Sequence, residues 1–494
     1  MKQMDCFFKK GYTMSLAQSF NQQFINGQWI NGSSNKIVTN INPYTRQHID
    51  DIQGASQQDV DAAYQAAQSA FKSWQKTTVS ERQSLIERII AVITQHRESL
   101  VDWLINEAGS SRLKANIEVD AALKISQASL KYANAVNEVI DLKPAYEGQV
   151  SQVFHKALGV ITVISPWNFP FHLSMRSVIP AIALGNTIVL KPASDTPVTG
   201  GLIIAKIFEL ANAPAGVLNV IVGAGSEIGD YVVEHDTSKF ISFTGSTQIG
   251  KRVAEKAMSA RRIKRVGLEL GGNAPLVILD DADLDLAVNL TVMGRFLHQG
   301  QICMSTNRVI IDEKIYDQYL EKLRPALANI KVGDPANEET LVGPIINNQQ
   351  TDNIRRIIQQ AQNEGASLFF DGGIEGNLVG PHVFINVEPD FAVAKEESFG
   401  PVLPILKARD EAHALELAND TEFGLSSAVC TSNHERGVKF ALGIEAGMSH
   451  INEISVADHP NAPFGGEKNS GLGRFNDQWI VEEYTTTHWV TAQK

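Results

Sequence analysis

Three residues in this sequence carry side chains that could act together on a carbonyl group. Cys303 lies in Gly300-Gln301-Ile302-Cys303-Met304-Ser305, just after a glycine and with polar neighbours on both sides. Glu269 lies in Leu268-Glu269-Leu270-Gly271-Gly272-Asn273, a carboxylate between two leucines and ahead of a Gly-Gly turn. Asn168 lies in Pro166-Trp167-Asn168-Phe169-Pro170, where two prolines stiffen the loop around it. A thiolate is a nucleophile. A partly buried carboxylate has a raised pKa and suits general-base work. A rigidly held amide NH2 is a good oxyanion donor. Each residue also has an ordinary reading. A free cysteine is most often a small buried hydrophobe, and Cys430 in Ser427-Ala428-Val429-Cys430 reads that way. Glu269 could be salt-bridged to Lys264 or Arg265, and Asn168 could be a turn asparagine. His298 is a rival base, but Glu269 is preferred and His298 is given a packing or tunnel-lining role.

A second set of residues could bind phosphate or ribose. The segment Gly223-Ala224-Gly225-Ser226-Glu227-Ile228-Gly229 approaches the G-x-G-x-x-G fingerprint, with Gly229 one residue late. Phe240-Ile241-Ser242-Phe243 reads as a strand leading through Thr244-Gly245-Ser246-Thr247 into a helix from Gln248 to Met258. Gly245 and Ser246 then sit at a helix N-terminus, where free N–H groups suit a pyrophosphate. A plain N-cap by Ser246 or Thr247 explains the same residues without a ligand. Lys191 in Leu190-Lys191-Pro192-Ala193-Ser194 ends another strand and could reach a ribose or phosphate, or be a solvated surface lysine.

The elements that must position these groups are legible in outline. Val60, Ala63, Ala67, Ala70 and Trp74 share one face of a helix from Asp59. Ser80-Glu81-Arg82-Gln83 fits a capping box for a second helix carrying Leu85, Ile86, Ile89, Ile90 and Ile93, with Gly109 as its stop. From about residue 157 short β-branched runs alternate with helices: Val160–Ile164, Thr187–Leu190, Leu218–Val222 and Phe240–Phe243. That pattern builds a mostly parallel sheet. It resumes at Pro275–Leu279 and Arg308–Ile311 as a second α/β unit. The break between units is placed just after Gly267, with Leu268 to Gly272 as a crossover. Residues 141–156 and 477–494 are read as an antiparallel flap, the tail around Thr485-Thr486-Thr487 favouring a strand that could pair with another subunit.

Size and composition bound the rest. A chain of 494 residues suggests two or three domains. A net charge of −12 argues against a nucleic-acid partner. No apolar run reaches a membrane span, and Met1 to Phe20 does not read as a secretory signal. Residues 1–20 are read as a disordered extension, with Met14 an alternative start. Three cysteines, Cys6, Cys303 and Cys430, argue against a disulfide framework and for a cytoplasmic setting. No clustered His/Cys spacing suggests a metal site.

Taken together, the segments resemble the aldehyde dehydrogenase superfamily from about Phe24 to about Trp489. Seven motifs stand in that family's order. They are Pro166 to Pro170, Lys191 to Ser194, Phe243 to Thr247, Leu268 to Gly272, Gly300 to Cys303, Glu396-Glu397-Ser398-Phe399-Gly400-Pro401, and Pro463-Phe464-Gly465-Gly466-Glu467-Lys468-Asn469-Ser470-Gly471. The resemblance implies an α/β fold: a Rossmann-like coenzyme domain, here residues 21–140 and 157–267, a catalytic α/β domain over 268–450, and a β-flap for oligomerisation as a homodimer or homotetramer. It implies Cys303 as nucleophile, Glu269 as base and Asn168 as oxyanion donor. It implies that NAD(P) is held by Trp167, Lys191, Ser194, Gly245 and Ser246, with Glu397 and Phe399 on the nicotinamide side. Gly225 and Gly229 join that set as a non-standard glycine turn.

Two departures concern specificity. Ser194 stands where many NAD-specific relatives carry a glutamate, so NAD is expected with NADP tolerated. Phe171-His172-Leu173-Ser174-Met175-Arg176-Ser177 resembles the benzaldehyde and vanillin dehydrogenase branch. The expected substrate is an aromatic aldehyde, in a tunnel lined by Phe171, Leu173, Met175, Ile302, Met304, Phe464 and the loop Ile454 to Pro463. Arg176 leaves a semialdehyde open, since an arginine there in some relatives pairs with a distal carboxylate; a structural ion pair is the alternative. A non-catalytic member and a coenzyme-free thiol hydrolase are the readings of another class.

Overall fold

The computed structural model describes residue 16 and residues 19–493; Cys6 and Met14 lie outside them. The expectation of a disordered extension to residue 20 needs correction at its end. Leu16 and Phe20 are buried, the Phe20 ring packs against Trp29 and Trp103, and Ser19 donates to Asp50 at 2.6 Å.

The first α/β layer begins with helices whose starts are encoded locally. Gln57–Trp74 opens on a capping box between Ser56 and Asp59. Val79–Gln95 opens on Thr78, not Ser80: Glu81 reaches back to the Thr78 N–H at 2.7 Å while Thr78 Oγ1 accepts from the Glu81 N–H. In a run of hydroxyl residues, the cap three positions before the glutamate wins. The helix breaks at His96, and its continuation Arg97–Ala108 ends at Gly109 with φ 62°, a left-handed turn that suits glycine.

The first sheet has eight strands. Its parallel centre runs Leu218–Val220, Thr187–Lys191, Val160–Ile164, Ser238–Thr244, Arg265–Glu269. The first of these five in sequence, Val160–Ile164, lies in the middle, and the chain then winds outward in both directions. That arrangement leaves a crevice at the carboxyl ends of Val160–Ile164 and Ser238–Thr244. Gln23–Ile25 and Gly471–Leu472 add antiparallel strands from the far ends of the chain.

A second sheet of seven strands centres on Ala274–Ile278 and Thr306–Asp312, parallel to each other and flanked by Val402–Ala408 and Ser426–Cys430. The crossover between sheets is shorter than expected. Leu268 and Glu269 still pair with Phe243 and Thr244, so only Leu270 to Asn273 passes from one sheet to the next. A three-stranded antiparallel sheet joins Thr485–Gln493, Gln149–Ala157 and Val139–Asp141. The strand in the tail begins at Thr485; Asp477–Tyr484 is a helix, not flap, because Ile480 and Tyr484 turn one face into the core. Among the described residues no helix is long and apolar enough to cross a membrane.

Candidate active site

The crossover sets the site. Glu269 ends a strand of the first sheet, and Asn273 precedes a strand of the second, so the carboxyl edge of one sheet faces the amino edge of the other. Cys303 arrives from the second sheet's side, in the loop between the helix Leu284–Phe296 and the strand Thr306–Asp312. Asn168 arrives from the first sheet's side, just after Val160–Ile164.

The loop carrying Cys303 is tightly shaped. His298 and Gln299 hold left-handed conformations, φ 51° and 58°, and Gly300 follows with φ 72°. Non-glycine residues rarely adopt this region, and such strain gathers at functional sites. A Cβ on Gly300 would stand 2.4 Å from the Gly400 carbonyl, and one on Gly272 would stand 2.1 Å from the Cys303 carbonyl. Glycine at 272 therefore lets the Leu270–Asn273 crossover lie against the cysteine's own backbone. The Cys303 thiol is free and half-buried. Burial, then the charges of Glu397 and Glu269, push it up to about 12.

Glu269 is 1% exposed. Its backbone is locked on both sides, with Gly245 N–H donating to its carbonyl and Ser470 accepting from Leu270. Neither carboxylate oxygen has a hydrogen-bond partner among the described residues. Lys264 instead donates to the Glu234 carbonyl, and Arg265 to the Thr485 carbonyl. Burial raises Glu269 to about 8, with Arg176 opposing and Asp458 adding to the shift. A salt-bridged strand-end glutamate is thereby excluded.

Asn168 is buried. Its amide donates one hydrogen to the Gln301 carbonyl at 2.9 Å, two residues before Cys303, and its own carbonyl accepts from Lys114 Nζ at 2.6 Å. One amide hydrogen is left over, which fits a donor waiting for an acceptor. His298 is also buried, with both ring nitrogens unpartnered among the described residues. Burial and the nearby Lys114 hold it well below its usual value. It is packed edge-on against Phe169, in keeping with a packing role.

A cleft opens beside Cys303. Its lining brings together Trp167, Asn168, Gly245, Ser246, Cys303, Glu397 and Phe399, all residues singled out in the sequence, with Gln350 and Asn353 added from the helix Asn348–Glu364. Ser246 heads the helix Thr247–Ser259, yet its side chain makes no capping bond among the described residues. The helix N-terminus keeps its free donors, as an anion site requires. Glu397 accepts from the Gly272 N–H at 2.9 Å and is raised to about 7 by burial. Phe399, at φ 43°, meets Trp167 edge-on. Lys191, Ser194, Gly225 and Gly229 do not line this cleft. Lys191 ends one strand of the same sheet, and Gly225 follows the neighbouring strand. Lys191 is buried, not solvated, and its side chain's one bond among the described residues is 3.4 Å to the Pro192 carbonyl. Burial lowers it to about 8. Gly225 and Gly229 border open space. An under-satisfied buried cation, an uncapped helix N-terminus and an uncrowded glycine turn along one edge fit a dinucleotide.

The expected tunnel residues Phe171, Leu173, Met175, Arg176, Ile302, Met304 and Phe464 are all buried, none above 9% exposure. Five of them belong to the apolar cluster on which Cys303 packs: Phe171, Met175, Ile302, Met304 and Phe464. Arg176 is engaged. Its Nη1 lies 3.3 Å from Asp458 Oδ2, and its guanidinium stacks on Phe464 and Phe475 at 4.3 and 4.6 Å. Asp458 also accepts from Asn476 at 2.8 Å and pairs with His172 at 2.9 Å. Burial opposes ionisation of Asp458, but His172 and Arg176 hold its carboxyl well below the carboxylate range.

Sequence reasoning missed Arg295 and the Lys114–Glu118 pair, and included Asp458 only as part of the loop Ile454 to Pro463, without its ion-pair role. Arg295 is buried and binds Ser398 Oγ, the Gly400 carbonyl and Asn307, holding the Glu397–Gly400 loop against the cysteine loop. Asp458 gave no local signal. Lys114 and Glu118 did: they stand four apart on the same stripe as Ala115, Val119 and Ala122, where charges do not belong unless paired.

With this geometry in place, comparisons with known proteins agree. The aldehyde dehydrogenase family profile matches residues 29–490, and the chain belongs to that family. It is 52% identical over 473 residues to a vanillin dehydrogenase of Corynebacterium glutamicum, covering 96% of this chain and 98% of that one. It is 44% identical over 476 residues to a benzaldehyde dehydrogenase of Bacillus subtilis, covering 96% and 98%. Among solved structures, an NAD-dependent benzaldehyde dehydrogenase from Corynebacterium glutamicum superposes with a TM-score of 0.90 at 48% identity, covering 97% and 98%.

Proposed function

We propose that the protein oxidises an aromatic aldehyde of the benzaldehyde or vanillin type to its acid, with NAD as coenzyme. The observation that carries this reading is a free thiol lining a cleft with Asn168, together with a buried carboxylate, Glu269, near enough to act on that thiol and without a hydrogen-bond partner among the described residues. The named relatives supply the substrate class. The apolar cluster against Cys303 supports it, and so does Arg176, whose charge is already matched by Asp458. An unmatched arginine would favour a semialdehyde's distal carboxylate.

In the proposed mechanism the general base Glu269 takes the Cys303 proton and passes it to solvent, and the thiolate adds to the aldehyde carbon. The spare Asn168 amide hydrogen and the Cys303 N–H stabilise the oxyanion. NAD, when bound, supplies a hydride acceptor and a positive ring that favours the thiolate. Cys303 is left as a thioester. Glu269 then takes a proton from water, which hydrolyses the thioester to the acid. Glu397, Phe399 and Trp167 would hold the nicotinamide end, Gly245 and Ser246 the pyrophosphate, and Lys191 and Ser194 the adenosine ribose beside Gly225 and Gly229. Serine at 194 does not repel a 2′-phosphate, so NADP is tolerated.

The coenzyme unit is proposed as residues 21–140 and 157–267 extended to Glu269, with the catalytic unit following. The exposed sheet bearing Trp489, Val490, Val139 and Ile140 supports assembly into a homodimer or homotetramer. Free thiols at Cys303 and Cys430 support a cytoplasmic setting. The test is NADH absorbance with benzaldehyde, vanillin, succinic semialdehyde and hexanal, each with NAD and NADP. Aromatic aldehydes with NAD should give the highest kcat/KM; a clear win for succinic semialdehyde overturns the substrate reading.

A further inference from the structure

We propose that the Lys114–Glu118 ion pair is a positioning device that clamps the Asn168–His172 segment and so aims the Asn168 amide at Cys303. The proposal rests on the oxyanion role given to Asn168 above.

Both side chains are 0% exposed and stand one turn apart on the helix Arg112–Tyr132. Lys114 Nζ has three hydrogens and three acceptors: Glu118 Oε2 at 2.5 Å, Ser110 Oγ at 3.0 Å and the Asn168 carbonyl at 2.6 Å. The ammonium also lies 4.1 Å from the centre of the Phe169 ring. Glu118 turns its other oxygen, Oε1, to the N–H groups of Phe171 and His172 at 2.9 and 3.2 Å. Those are free donors at the start of the helix Pro170–Ala183, whose N-cap Phe169 supplies no side-chain cap among the described residues and whose first residue is a proline. The pair therefore grips the segment at both ends, a carbonyl at 168 and two amides at 171 and 172.

This matters because Asn168 is the residue between the grip and the cysteine loop. Its carbonyl is fixed by Lys114, and one amide hydrogen is fixed by Gln301. With backbone and side chain both held, the remaining hydrogen has one direction. A buried ion pair is a costly way to fill apolar space, and an apolar pair of the same volume is often as stable. Its value here lies in the peptide groups it orients, since small misplacement of a positioned group is expensive in rate.

Lys114→Met alone leaves the Glu118 charge buried and unpaired, so the test uses the double variant K114M/E118Q, which removes both charges. It is compared with wild type, Asn168→Ala, and the triple variant in steady-state assays with benzaldehyde and saturating NAD. Asn168→Ala should lose about 100- to 1,000-fold in kcat. K114M/E118Q should lose about 10- to 100-fold in kcat, with KM for NAD nearly unchanged. Added to Asn168→Ala, it should cost almost nothing further, because the group it aims is gone. A merely structural role would give the same loss in both backgrounds, and that additive result overturns the proposal, as does an unchanged kcat. Glu118→Asp provides a milder variant that keeps both charges but withdraws the carboxylate from Phe171 and His172. It should show the same background-dependent pattern on a smaller scale. If Asn168→Ala is itself silent, the oxyanion assignment fails first, and this inference with it.

Discussion

Glu269→Gln should stabilise the protein, and more so as the pH rises. Burial moves the Glu269 carboxyl from 4.5 to about 8 in the folded chain. Between those values the folded chain holds a proton that the unfolded chain has given up. Stability from this group is therefore complete below pH 4.5 and is lost as pH rises to about 8. At 1.36 kcal/mol per pKa unit, the full loss is about 5 kcal/mol. It should amount to roughly 1.4 kcal/mol at about pH 5.5 and to most of the full value at about pH 9. Glutamine has the same shape and no charge. Its own unpaired amide costs something, but the same amount at every pH, so the informative quantity is the change in the difference between variant and wild type. Urea unfolding of the coenzyme-free protein at the two pH values should show that difference growing by about 3 kcal/mol in the variant's favour. A pH-independent difference would mean that Glu269 is solvated or paired in the folded protein. Burial would then not ready it as a base.

Other expectations follow from single contacts. Gly272→Ala should nearly abolish turnover, because the new methyl would meet the Cys303 carbonyl at 2.1 Å; active-site titration of the thiol alongside kcat checks this. Asp458→Asn should release Arg176 and raise kcat/KM for succinic semialdehyde relative to benzaldehyde by about 10-fold, the scale of one charged hydrogen bond. An unchanged ratio would place Arg176 out of the substrate's reach. Ser194→Glu should leave NAD turnover within a few-fold and depress NADP turnover by at least about 10-fold through charge repulsion, measured as the ratio of kcat/KM values. Equal effects on both coenzymes would remove Ser194 from the ribose site.

The parallel strands were legible because buried β-branched runs such as Val160–Ile164 and Thr187–Lys191 are written in consecutive residues. What was not legible depends on distant partners. The antiparallel strands Gln23–Ile25 and Gly471–Leu472 are three and two residues long, and only the strands they join define them. Gly267 reads in the sequence as a break and so draws the expected crossover early; in the sheet it makes room for the Phe240 ring, 2.8 Å from where its Cβ would be. The site was read through motifs around Cys303, Glu269 and Asn168, and the cleft that joins most of the expected coenzyme residues lies between two sheet edges that no local pattern connects. Arg176 illustrates the limit. Its place in a motif segment was clear, but its meaning turns on Asp458, 282 residues away.

The central claim is that the substrate becomes covalently bound to Cys303 and is released by Glu269. The most direct measurement is mass spectrometry of Glu269→Gln quenched after mixing with benzaldehyde and NAD. An acyl adduct should accumulate on the peptide containing Cys303, with one NADH formed per site and little further turnover. Absence of an adduct, its appearance on Cys430, or undiminished turnover by Cys303→Ala would contradict the account.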